Sequence, residues 1–125
     1  MNTYTTLAKE GTATLVERRS EFIGYAKPVN TEEEAAAFVM SIKKKHADAR
    51  HNVFAYVLRG GALKRYSDDG EPQGSAGMPV LDAICKNGLD GAAVVVTRYF
   101  GGILLGTGGL VRAYSSAASA AVADA

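Results

Sequence analysis

The order of patterns along this chain predicts an α+β fold. Two β-branched stretches come first, Gly11–Arg18 (GTATLVER) and Glu21–Val29 (EFIGYAKPV), and helix-periodic and strand-like segments then alternate to the end. One run, Ala92–Phe100 (AAVVVTRYF), is apolar on both faces for most of its length, as a central strand is. The expected architecture is a two-layer sandwich: a mixed sheet with the helices over one face.

Each element has its own warrant. Gly11–Arg18 carries Thr12, Thr14 and Val16 at alternate positions, and Glu21–Val29 carries Phe22, Ile23, Tyr25 and Val29, so the two read as an antiparallel pair joined at Arg19–Ser20. Thr31-Glu32-Glu33-Glu34 matches a capping box, in which the Thr31 hydroxyl and the Glu34 carboxylate satisfy orphan amides. The helix it opens has Ala35, Phe38, Val39 and Ile42 as its apolar stripe, and Lys43-Lys44-Lys45 suits the negative end of its dipole. Asn52–Arg59 (NVFAYVLR) is the next strand, stopped by Gly60-Gly61, and Lys64–Tyr66 a short return strand. Ser75–Asn87 reads as a second helix: Pro79 is tolerated in its first turn, Gly88 ends it, and Val80, Leu81, Ile84 and Cys85 face inward. The last helix spans roughly Gly109–Val122, and its Ala117, Ala118, Ala120 and Ala121 suit close packing.

The 125 residues fit one domain with one core, and 47% hydrophobic with 22% charged residues is an ordinary globular balance. A net charge of +1 gives no global pull toward nucleic acid or anionic membrane, so any such binding needs a local basic patch. The single cysteine, Cys85, has no internal partner and reads most simply as core in a reducing compartment. MNTYTTLAKE lacks the apolar core of a signal peptide, and no run approaches the roughly 20 apolar residues of a membrane helix. A cytoplasmic chain with no membrane partner is expected.

Two loops carry the candidate chemistry. In the first, YSDDGEPQG, Asp68, Asp69 and Glu71 are separated by turn-forming Gly70 and followed by Pro72. Such residues serve a turn and favour the dipole of the helix that follows. The same carboxylates would also pair with arginine or hold a cation, but the spaced oxygen ligands of an EF-hand are absent, and no metal or cofactor is expected. The second loop, GGILLGTGG, lies between a strand and a helix. Gly101 and Gly106 have the spacing of a phosphate-binding loop, but the lysine and hydroxyl that follow in one are missing. Arg98 and Arg112 flank this loop, where they could grip an anion, pair with the acids of the first loop, or do both. His51 is a candidate general base with no nucleophile visibly paired to it.

Three stretches together resemble the IMPACT/YigZ family: ARHNVFAYVL at Ala49–Leu58, YSDDGEPQGSAGMPVLDAI at Tyr66–Ile84, and VVVTRYFGGILLGTGGLVRAYS at Val94–Ser115. SEFIGYAKPV fits as well, so the resemblance covers nearly the whole chain. It implies a fold like the second domain of the small-subunit ribosomal protein five, similar also to domain IV of elongation factor G. His51, Asp68, Asp69, Glu71, Arg98, Gly101, Gly102 and Arg112 match the family's motif positions and are the expected ligand- or anion-binding set. Ser75 stands where a threonine is more usual and Leu104 where a lysine often stands, which removes one charge from the glycine loop. Residues 1–125 are read as a single N-terminal-type domain, without the C-terminal ferredoxin-like domain that bacterial members carry. The implied role is a non-enzymatic binding module linked to translation or its regulation, with RNA or a ribosome-associated protein as partner. The alternative is a hydrolase using Asp68, Asp69 or Glu71 with His51.

Overall fold

A computed structural model describes residues 5–125. The chain first forms a hairpin of strands β1 (Gly11–Glu17) and β2 (Ser20–Pro28), then helix α1 (Glu32–Lys45) and strand β3 (His51–Leu58). A short turn at Arg59–Gly61 returns it as β4 (Leu63–Ser67), and helix α2 (Gly77–Lys86), strand β5 (Ala92–Tyr99) and helix α3 (Gly106–Asp124) complete the fold. The α+β class and every expected element are present. Thr31 caps α1 as its sequence predicts, its hydroxyl accepting the Glu34 amide at 3.1 Å.

The sheet has the order β1-β2-β5-β3-β4. All four ladders are antiparallel, so the expected mixed sheet is corrected. The reason lies in the order. Strands β2 and β3 run parallel, as do β4 and β5, but in each case another strand is inserted between them and the parallel partners never touch. The apolar run of β5 is the centre, with Val94, Val95 and Val96 fully buried.

The helices do not share one face. Helices α2 and α3 cover the side that presents Phe22, Ala26, Val53, Val57, Val94 and Val96. Helix α1 covers the other side, packing Ala35, Phe38, Val39 and Ile42 on Tyr56, Leu58, Ala93 and Val95. The two-layer expectation therefore becomes three layers. The crossovers β2-α1-β3 and β4-α2-β5 run in opposite directions between oppositely directed strand pairs. Crossovers of one hand would put both helices on one face; on opposite faces they have opposite hands.

Helix α3 lies very close to the hairpin. A Cβ on Gly24 would sit 2.6 Å from the Ala117 carbonyl oxygen, and one on Gly11 2.5 Å from that of Ala121. Ala117, Ala118 and Ala121 are buried there, whereas Ala120 is exposed. Cys85 is also exposed rather than core. It lies about 40° round α2 beyond Leu81, which already marks the edge of the buried stripe.

Candidate functional site

The acidic loop is shaped by its own carboxylates. Asp68 turns inward on the backbone: Oδ2 accepts from the Gly74 amide at 3.0 Å, and Oδ1 from the Ala76 and Gly77 amides at 3.2 and 2.7 Å. Ala76, at the N-cap of α2, has no side chain able to do this, so Asp68 satisfies the helix's first amides from eight residues upstream. Asp69, at φ 43°, ties the loop to β3, its Oδ2 accepting the Asn52 amide at 2.7 Å and its carbonyl facing His51 Nδ1 at 2.8 Å. That carbonyl only accepts, so Nδ1 carries the proton. Gly70, at φ 90°, passes so near the imidazole that a Cβ would meet Nδ1 at 3.3 Å.

These restraints drive Glu71 under the loop, where its side chain is 4% exposed. Oε2 accepts from Arg98 Nη1 at 2.7 Å and from the Tyr114 hydroxyl at 2.5 Å, and Oε1 lies 3.4 Å from His51 Nε2. Arg98 sits directly across the ladders from His51 on β3 and from Phe22 on β2, so sheet register itself assembles the cluster. Its remaining nitrogens reach Ser20 Oγ at 3.3 and 3.4 Å, and its guanidinium carbon lies 5.5 Å from the Phe22 ring centre and 5.3 Å from that of Phe100. Burial, reinforced by the bond to Glu71, pushes the Tyr114 hydroxyl's pKa far up, and it stays a proton donor.

The glycine loop meets this cluster from the other side. Ser20 Oγ accepts the Gly101 amide at 3.2 Å, and a Cβ on Gly101 would overlap the Arg19 carbonyl at 2.0 Å. Between the two loops and the start of α3 lies a cleft of about 290 Å³, with Pro72, Phe100, Leu105 and Leu110 as apolar walls and His51, Glu71 and Thr107 as polar ones. Arg50, exposed to solvent, also lines it, its guanidinium carbon 5.0 Å from the Phe100 ring centre.

Residues 18–122 match the family described as the Impact N-terminal domain. The chain belongs to this family. It is similar to IMPACT family member YvyE of Bacillus subtilis (strain 168), with 44% identity over 120 residues, 95% of this chain and 55% of that protein. It thus spans about half the length of such a relative. A crystal structure of a hypothetical protein matches with a TM-score of 0.91 at 40% identity, covering 94% of this chain and 59% of that one. The two-domain translational regulator Yih1 matches with a TM-score of 0.59 at 25% identity, covering 98% and 49%.

In this IMPACT-type domain, His51, Asp69, Glu71 and Arg98 come together, while Asp68 faces the loop's own backbone. Gly101 touches the hairpin turn, and Gly102, at φ 87°, is exposed with open space where a Cβ would stand. Arg112 is exposed on α3 and makes no ion pair among the described residues. The pairing of both arginines with the acids is thus realised by Arg98 alone.

Sequence reasoning missed Ser20, Phe100 and Tyr114 as site residues. It also missed a second network on the opposite face. There Tyr25 and Tyr99 hydroxyls flank His46 at 2.6 Å each, and Tyr99 donates to Asp48 at 3.0 Å. With its own proton given to Asp48, Tyr99 accepts from His46 Nδ1, and Nε2 accepts from Tyr25. Burial, with help from Lys45, lowers the His46 pKa and favours this neutral form.

Proposed function

We propose that this domain is a non-enzymatic binding module of translation regulation that holds single-stranded RNA at the cleft end of its sheet. One observation carries the reading: the acids of the site are engaged inward, and an exposed arginine, Arg50, lines the cleft with its guanidinium carbon 5.0 Å from the Phe100 ring centre. The apolar walls of the cleft suit an unstacked base, with Arg50 and Arg112 placed to meet its phosphates. The likeness to Yih1, a translational regulator by its description, supports the same setting.

The hydrolase alternative needs a free carboxylate beside His51. Both oxygens of Asp68 and one of Asp69 are occupied by backbone amides, and Glu71, 4% exposed, is held through Oε2 by Arg98 and Tyr114 with only Oε1 facing His51. The deciding test is fluorescence anisotropy of labelled single-stranded RNA over a salt series, with ribosome co-sedimentation beside it. Binding should weaken with salt, and Arg50→Ala or Arg112→Ala should each reduce the log–log slope by about 0.7. Phe100→Ala should weaken binding with little change in slope. No binding rejects RNA in favour of a protein partner, and binding indifferent to all three variants while each stays folded rejects the cleft end as the RNA site.

A further inference from the structure

Strand β1 is an edge of the sheet, seven residues long and in unbroken register with β2. The Thr12 amide donates not to β2 but to Asp124 Oδ2, at 2.9 Å. Thr12 therefore points its backbone groups outward, and by the two-residue period of an antiparallel ladder so do Thr14 and Val16. Val16 is 65% exposed. The opposite edge, β4, is guarded in the usual way: it has only five residues and exposes Lys64 and Arg65. Strand β1 has no lysine, no proline and no bulge.

Charged side chains mark both its ends: Glu10, 3.9 Å from Lys27, and Asp124 lie at the start, and Glu17 with the turn residues Arg18 and Arg19 at the other. Both arginines are held in the left-handed region, at φ 44° and 68°, in a two-residue turn that Asn-Gly suits better. Neither makes an ion pair among the described residues. Local preference is broken here with no gain inside the chain, as happens where a residue serves something outside it.

We propose that β1 is a self-association edge. A second copy of this chain adds its own β1 antiparallel, with Thr14 of each opposite Val16 of the other. This register leaves the Thr12–Asp124 bond intact and sets Arg18 opposite Thr12, beside Asp124, with Arg19 one position from Glu10. Two-fold symmetry makes each contact of Arg18 with Asp124 twice, whereas parallel pairing would set the two Arg18-Arg19 turns side by side. Helix α3, lying over β1, exposes only Ser116, Ser119, Ala120, Ala123 and Asp124 in its last turns, so no bulky side chain bars the approach.

Sedimentation equilibrium of the 13.1 kDa chain across micromolar to millimolar concentration should show its mass doubling. Thr14→Pro deletes an outward donor and no bond to β2, and should hold the mass at one chain with an unchanged circular dichroism spectrum. Val16→Lys, at a position already exposed, should do the same and decides alone if the proline variant fails to fold. The Arg18→Asn/Arg19→Gly variant should melt higher yet dimerise at least tenfold more weakly, a split that a purely structural turn would not give. A mass that never exceeds one chain, or a dimer that survives Thr14→Pro or Val16→Lys in folded protein, overturns the proposal.

Discussion

Replacing Arg98 by methionine tests the buried cluster directly. Arg98 is 5% exposed and supplies the 2.7 Å bond to Glu71, together with two longer contacts to Ser20. Removing one partner of a buried ion pair costs about 3–5 kcal/mol, because the other charge stays behind unpaired. Here Tyr114 keeps its bond to Glu71 Oε2, which places the loss near the lower end, about 3 kcal/mol. A domain of this size is stable by about 5–15 kcal/mol, so the variant folds but melts about 10 °C lower. Adding Glu71→Gln removes the stranded charge. The double variant should then lose at least about 1.5 kcal/mol less than the two single losses combined. Urea unfolding of the four proteins at neutral pH measures this. A loss under about 1 kcal/mol for Arg98→Met, or strictly additive losses, would refute the assignment of Arg98 as the partner that makes burial of Glu71 tolerable.

The second network and the hairpin turn give further expectations. His46 has a pKa below its ordinary 6.5 in the folded chain, so the unfolded state binds the proton more readily. Its contribution to stability is complete above 6.5 and is lost as pH falls through the depressed folded value. Chemical denaturation between neutral and mildly acid pH should show that fall, and a His46→Gln variant should show less of it; equal slopes would exclude the role. Gly101→Ala must displace the Arg19 carbonyl, since its Cβ would stand 2.0 Å from that oxygen. A loss of about 1–3 kcal/mol is expected by thermal melting, and a neutral result would mean the turn yields freely.

The elements were legible because their signals are short-range. The capping box at Thr31, the β-branched alternation from Thr12 to Val16 and the apolar run of β5 each need only a few neighbouring residues. The face of the sheet that α1 takes depends on crossover hand, which periodicity does not encode. The site was half legible for a similar reason. Clustered acids and flanking arginines are visible in one dimension, so Glu71 and Arg98 could be set against each other. Ser20 and Tyr114 could not, because they are separated from their partners by 78 and 43 positions and meet them only through register and helix packing. Tyr114 left one faint sign: a tyrosine buried beside alanines needs a partner for its hydroxyl.

Three carboxylates in four positions look at first like a reactive cluster, but each does separate structural work. Asp68 folds the loop on itself and satisfies the amides opening α2, Asp69 fastens the loop to β3, and Glu71 neutralises Arg98 beneath it. Phe100 lies near both the interior and the surface, with buried Arg98 5.3 Å from its ring centre and exposed Arg50 at 5.0 Å. If RNA binds as proposed, the acidic loop serves it chiefly as a scaffold. It keeps Arg98, and through it Phe100, in a fixed place. A variant of Glu71 should weaken RNA binding only in step with its loss of stability, whereas Arg50→Ala should weaken binding in a protein that melts as the parent does. That contrast separates a scaffold carboxylate from a contacting arginine, and it would fail if Glu71 itself reached the ligand.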